Sequence, residues 1–296
     1  MFFALLWVWV DLIKNVIYNT YSSFLISEQN MIGVSLRFRW LLGTKSAHYD
    51  DPQKLLPLLY EAGVRSIELR PLAPNDDPDE VLGLVNSLWD QGFSVTVHGS
   101  VDTVENAVEE VFYPLRGVLA NMRQDGLTVT LHPINGDNRA VLLKLSDHIN
   151  ENKLPVRIAL ENNKHMPDKS NGNCTRFVLD IVRDVNRENI GICFDLGHYA
   201  YYCATQTDNP IQMPDKEFLA RTIHTHIHAF TNGVAHFPLT EWRDPFASQL
   251  EELTKSYKGI YNIELSPHRY KTLYWSTDSF LTSVKTLKEN LKESMK

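Results

Sequence analysis

The sequence predicts an α/β protein folded as a closed parallel (β/α)8 barrel, and three observations carry that prediction. From Met31 onward, short β-branched runs alternate with helix-like stretches. There are eight of each, and successive strand starts lie roughly 30 to 35 residues apart, the length of one βα unit. An open doubly wound sheet would want a glycine-rich phosphate loop after an early strand, and neither G-x-G-x-x-G nor G-x-x-x-x-G-K-[ST] occurs. The 296 residues suit one barrel-sized domain or two ordinary ones, and no linker rich in Pro, Gly or Ser divides the chain.

The predicted strands are 32–38, 66–70, 94–98, 128–132, 157–161, 191–195, 223–228 and 261–265. Each is a β-branched run that ends in polar residues. The predicted helices are 52–62, 78–91, 104–123, 140–150, 176–186, 215–220, 245–256 and 277–293. Pro52 and Pro78 follow aspartates at positions where a helix start tolerates proline, and Gly63 and Gly92 stand where a helix would stop.

Composition narrows the class. Hydrophobic residues make up 43% and charged residues 22%, ordinary globular values that exclude a disordered or fibrous chain. The net charge of −7 argues against a surface built to hold nucleic acid. Cys174, Cys193 and Cys203 form an odd, sparse set, which reads as reduced thiols in a cytoplasmic protein. Residues 1–30 stand apart. Their apolar, aromatic run at 2–10 is too short to span a bilayer and lacks the marks of a secretory signal. An extra helix packed on the body, a stretch upstream of a start at Met31, or an interfacial anchor would each account for it. The barrel is expected over 31–296.

The ionisable residues fall at strand ends. Strand two carries Glu68 and Arg70, strand three ends at His98, strand four at His132, strand five at Glu161 and strand six at Asp195, followed by His198. Strand seven holds His224, His226 and His228, and strand eight holds Glu264. In a barrel these ends ring the mouth that carries the active site. Parity agrees. Stepping back by two from Glu161, His132 and His98 meets Ala159, Thr130 and Thr96, a small and polar set that should face inward. The alternate set, Ile158, Leu160, Val129, Leu131, Val95 and Val97, suits burial under helices. A lone His or Glu on a strand is most often a satisfied core residue. A whole ring is different, because so many buried carboxylates need a counterion. A divalent metal (Mn, Mg, Co, Fe or Zn) supplies one, and carboxylates with neutral imidazoles are its usual ligands.

With these motifs the chain resembles the xylose isomerase-like TIM barrels, a group that includes sugar phosphate isomerase/epimerase-like proteins and endonuclease IV-type AP endonucleases. The resemblance covers residues 32 to about 290. It rests on Ile-Ala-Leu-Glu161-Asn, Ile-Cys-Phe-Asp195-Leu-Gly-His198, His226-Ile-His228 followed by His236-Phe-Pro-Leu, and the Glu264 strand. The epimerase branch implies one metal held by Glu161, Asp195, His226 and Glu264, with both glutamates acting as acid and base and His198 touching sugar oxygens. His228 is the alternative to His226. The endonuclease branch implies a three-zinc cluster that adds His98, His132, His198 and His236. Three positions depart from these patterns: Val234 stands where the endonucleases have Asp, Ala229 follows the His-x-His pair, and Thr240 replaces a common Gly.

The expected chemistry is isomerisation or epimerisation of a sugar or sugar phosphate through an enediolate. Glu68, Arg70, His98 and His132 are expected to help bind the substrate, and loops bearing Trp40, Tyr199 and Trp242 to cap the mouth. His48, His148 and His165 read as surface or loop residues, and His268 as a possible lining residue. The competing classes are a phosphodiesterase acting on abasic DNA and a non-catalytic sugar-binding barrel. No membrane span is expected, and a homo-oligomer is open.

Overall fold

The computed structural model describes residues 30–45, 50–163, 174–206, 213–231, 234–240, 246–269 and 276–294. The expectations for residues 1–29, His48, His165 and Trp242, and for the His268 side chain, lie outside the described parts.

Eight parallel strands close into a barrel: β1 (Met31–Arg37), β2 (Val64–Arg70), β3 (Ser94–His98), β4 (Leu127–Leu131), β5 (Val156–Glu161), β6 (Ile190–Asp195), β7 (Thr222–Ile227) and, as the tenth strand in chain order, β10 (Ile260–Ile263). The order around the barrel follows the sequence, and β1 pairs with β10 through Met31↔Ile260 to Val34↔Ile263, so no edge is left open. The outward set of side chains (Val95, Val97, Val129, Leu131, Ile158, Leu160) is buried beneath the helices, as its parity demanded.

The surrounding helices begin and end as the sequence signals. The helices Pro52–Glu61, Pro78–Asp90 and Asn138–Glu151 are capped by the side chains of Asp51, Asp77 and Asp137, which accept from Gln53, Asp79 and Ala140 backbone amides. The chain turns out of the first two at Gly63 and Gly92, whose φ angles of +94° and +85° suit glycine.

Three local expectations are corrected. The single helix over 104–123 is two short ones, Ala107–Phe112 and Arg116–Ala120. Pro114 lies in the break, where its missing N–H and its ring interrupt the ladder. A helix over Leu196–Gln206 was not foreseen. It starts directly at the end of β6, and its aromatic side chains show no clean 3.6-residue stripe. An antiparallel hairpin, β8 (Ala229–Thr231) with β9 (Val234–Phe237), leaves the barrel after β7. Asn232-Gly233 between its strands is the strongest short-range hairpin signal in this stretch.

Tyr199 and Trp40 do not stand free over the mouth. Tyr199 is buried against the rings of Phe194 and Tyr202, and Trp40 is buried with its indole N–H donated to the Asp50 carbonyl. His148 is half-buried on its helix, against the ring of Phe112. All three cysteines are buried thiols.

Candidate metal centre

All eight strands run the same way, so the polar ends of β3 to β7 and β10 meet at one mouth. Glu161 and Asp195 are the last residues of β5 and β6, and both are fully buried. Register then aligns Asp195 with His226 on β7, and His226 with Asn262 on β10. Glu264 follows two residues after Asn262, its amide donating to the Ile227 carbonyl. One ligand atom each from Glu161, Asp195, His226 and Glu264 lies within 4.8 Å of the others. Ligands about 2.1 Å from a shared cation would sit about 3 to 4.2 Å apart, so this spread suits an O,N-coordinated divalent ion.

Satisfaction of the polar atoms points the same way. Glu161 Oε1, His226 Nδ1, His236 Nδ1 and Glu264 Oε2 are buried and make no hydrogen bond of good geometry. Yet His226 Nδ1 sits 3.2 Å from Glu161 Oε2 and 3.4 Å from Glu264 Oε2, and His236 Nδ1 sits 3.3 Å from Glu264 Oε2. Buried polar atoms that converge without bonding one another are what a cation would satisfy. The residues present therefore fit the divalent metal that the resemblance implies.

The charges are mutually dependent. Burial alone would push the three carboxyls up, but their neighbours overrule it. His132 and His226 hold Glu161 well below the usual carboxylate range. Arg70, His236 and His226 do the same for Glu264, and His198 and His228 lower Asp195. The imidazoles respond in kind. Burial acts to lower His198, yet Asp195 and Glu161 raise it to about 9, and Cys193, Glu68 and Glu161 raise His226 well above the ordinary value. At His236 burial wins over Glu264 and the ring falls to about 4. Three carboxylates this close require positive charge among them.

The remaining expected residues divide into those at the mouth and those beneath it. His98 and His132 both direct Nε2 at Glu161 Oε2, at 3.1 and 3.2 Å, and the His132 side chain is about half exposed (47%). His198 Nδ1 lies 3.4 Å from Glu161 Oε1 and 3.2 Å from Asp195 Oδ2, while its Nε2 faces His236 Nε2 at 3.4 Å. His198, His228 and His236 form a second set of converging imidazoles. Within it His228 donates from Nε2 to Asp195, and its Nδ1 accepts the His236 amide at 3.0 Å. Arg70 directs its guanidinium at Glu264 Oε1 and the Leu265 carbonyl. Glu68 lies below the mouth, fully buried, among Ser35, His224 and His226.

Several supporting residues escaped the sequence reading. Asn162 ties the ends of β5 and β6 together, donating to the Asp195 carbonyl and accepting the Asp195 amide, both at 2.9 Å. Asp195 Oδ1 accepts the His198 amide at 2.6 Å, as an N-cap does, and so holds the start of the Leu196–Gln206 helix. An aspartate at the end of a strand is a helix-start signal that would have located this helix. Gly197 lets the His228 ring lie where a Cβ would be, since a methyl there would come within 2.1 Å of that ring. His236 enters on β9 with φ +65°, a left-handed conformation that costs a side-chain-bearing residue about 1 kcal/mol or more.

A closed parallel barrel with carboxylates and imidazoles converging at its mouth defines a broad class of α/β barrel proteins. Within it, a model of the xylose isomerase-like TIM barrel family matches residues 56–292, and the chain belongs to that family. The family includes isomerases, epimerases and endonuclease IV-like enzymes, and its members often bind divalent metals. Over 235 residues the chain is 27% identical to the uncharacterised protein MJ1311 of Methanocaldococcus jannaschii, covering 76% of this chain and 73% of that one. The catalytic domain of a hyperthermophilic chitinase from Pyrococcus furiosus superposes with a TM-score of 0.38 at 9% identity, over 90% of this chain and 98% of that one. Catalytic-site mutants of active domain 2 of a thermostable chitinase from the same organism, complexed with chito-oligosaccharides, reach 0.42 at 8% identity, over 90% and 97%. Likenesses that remote say nothing about the chemistry of the mouth. No helix among the described residues is long and apolar enough to cross a membrane.

Proposed function

We infer that the chain is a divalent-metal-dependent isomerase or epimerase acting on a sugar or sugar phosphate. The observation that supports this best is the convergence of Glu161, Asp195, His226 and Glu264 within 4.8 Å, with two glutamates from separate strands in the set. A divalent cation bound there supplies Lewis acidity toward neighbouring carbonyl and hydroxyl oxygens. The residues of the chain do the rest. Either glutamate takes the proton from the carbon beside the carbonyl, and the C–H electron pair becomes the double bond of an enediolate. The other glutamate, charged with a proton from solvent, returns it to the opposite face to give the epimer. Return to the neighbouring carbon, with the hydroxyl proton passing from the first oxygen to the second, gives the isomer. The step is redox-neutral and needs no co-reactant. Arg70 orients Glu264, and His198 turns from its His236 neighbour to meet a substrate hydroxyl.

One observation favours a second reading. His98 and His132 share Glu161 Oε2, and His198, His228 and His236 form a further cluster, so the mouth offers ligand atoms for more than one ion. A phosphodiesterase of the endonuclease IV type would use three. Val234, on the hairpin strand, replaces the aspartate such a site wants, which counts against it.

The test is to count metals per purified chain and to follow solvent deuterium into ketoses, aldoses and inosose-like compounds. One metal with deuterium at the carbon beside the carbonyl supports the isomerase reading. Three metals with cleavage of an abasic duplex would replace it, and metal-free protein that binds sugar without exchange would make this a non-catalytic barrel.

A further inference from the structure

Beneath the mouth lies a carboxylate that the proposed chemistry does not use. Glu68 is fully buried in the barrel interior and accepts three hydrogen bonds. Ser35 Oγ donates to it at 2.6 Å, His224 Nε2 at 2.9 Å and His226 Nε2 at 3.0 Å. The direction of the Ser35 bond is set from behind, because Ser35 Oγ itself accepts Asn262 Nδ2 at 2.7 Å, leaving its own hydroxyl proton for Glu68. An ionised carboxylate only accepts, so His226 must present a proton on Nε2 to it.

That requirement reaches the mouth. A neutral imidazole protonated on Nε2 has its lone pair on Nδ1, and His226 Nδ1 is the atom that faces Glu161 and Glu264 at 3.2 and 3.4 Å. The opposite tautomer would turn an N–H toward the ion position and a lone pair toward Glu68, making both ends repulsive. Glu68 is fully buried, and both of its oxygens already accept from protein donors.

Resting on the assignment of His226 as a metal ligand, we propose that Glu68 is a positioning residue: it fixes the His226 tautomer so that Nδ1 is the metal-binding atom, with Ser35 and Asn262 holding Glu68 in place. Carboxylates that accept the second N–H of a liganding imidazole commonly matter by about 10- to 100-fold in metal affinity.

The experiment uses the full chain with Zn²⁺ as a diamagnetic probe. Zinc affinity is measured by chelator competition for the wild type, Glu68→Gln and Ser35→Ala. Long-range ¹H–¹⁵N spectra of the imidazoles are recorded, and His226→Gln assigns the resonances. Thermal midpoints of the chelator-treated proteins separate loss of fold from loss of ligand. The expected result is a wild-type His226 with Nε2 protonated and Nδ1 on zinc. Glu68→Gln should bind about 10- to 100-fold more weakly with mixed tautomers, and Ser35→Ala only a few-fold more weakly. A folded Glu68→Gln variant with wild-type affinity would overturn the proposal, and so would zinc on Nε2 of the wild type. If Glu68→Gln does not fold, the wild-type spectrum alone decides. A wild type that takes up no zinc would sink the metal reading itself, whereas uptake indifferent to Glu68→Gln sinks only the role of Glu68.

Discussion

The two glutamates of the mouth are chemically identical and differently held. Glu161, at the end of β5, is surrounded by imidazoles: His98, His132, His198 and His226 all lie within 3.4 Å of its oxygens. Glu264, just past β10, is anchored by the guanidinium of Arg70, with His226 and His236 as lesser neighbours. A guanidinium keeps its charge at every working pH, and Arg70 is tied at its other nitrogen to the Leu265 carbonyl, whereas an imidazole's charge is set by its surroundings, here the carboxylates that raise His198 and His226 against their burial. One side of the mouth is therefore permanently charged and geometrically locked. The other depends on the protonation or metallation of its partners. Identical side chains at equivalent strand ends thus acquire different properties from what packs against them.

The largest expected effect breaks both sides at once. Glu161→Gln and Glu264→Gln should each slow solvent-deuterium incorporation by about 10³-fold or more, the range for losing a positioned acid or base together with a ligand. Asp195→Asn should act mainly on metal affinity. Full turnover in either glutamine variant would end the acid–base assignment.

Next comes the difference between the two sides. Arg70→Met leaves Glu264 buried beside fewer charges and should destabilise the protein by about 3 kcal/mol. His132→Gln, on the half-exposed side, should cost about 1 kcal/mol or less. Denaturant titrations of the two variants side by side would test this, and equal losses would remove the contrast.

Gly197→Ala should cost about 1 to 3 kcal/mol, because the His228 ring that a Cβ would strike is held at both nitrogens and has little room to retreat. A thermal midpoint unchanged from wild type would show that the ring can move.

The smallest effect lies on the surface, away from the mouth. Arg183 and Arg221 lower the Glu217 carboxyl to about 2. A depressed carboxyl contributes stability above its unfolded value near 4.5 and loses it as pH falls toward 2. The midpoint difference between wild type and Glu217→Gln should therefore be slight at neutral pH and vanish in acid. A gap that widens on acidification would contradict the sign.

How far the sequence reached is clearest residue by residue. Thr96, Thr130 and Ala159 could be placed inside the barrel and Val95, Val129 and Ile158 outside it, because strand side chains alternate whatever surrounds them. Asp51 and Asp77 announced their helices because a capping carboxylate acts on amides two or three residues away. Pro114 is a local signal for the break between the Ala107–Phe112 and Arg116–Ala120 helices, because a proline lacks the N–H that a continuous helix needs there. Arg70 could not be assigned from its strand, since its partner Glu264 lies 194 residues further on.

By itself, then, the sequence determined the succession of βα units, the face each strand residue takes and the gathering of ionisable groups at strand ends, because those depend on interactions within one strand or one turn. Only the tertiary structure decided which imidazole serves which carboxylate: His226 between Glu68 and the mouth, His228 on Asp195, and His236 carried in by a hairpin. Barrel closure and register set those pairings, and a carboxylate binds whichever donor that closure brings within about 3 Å, however distant along the chain.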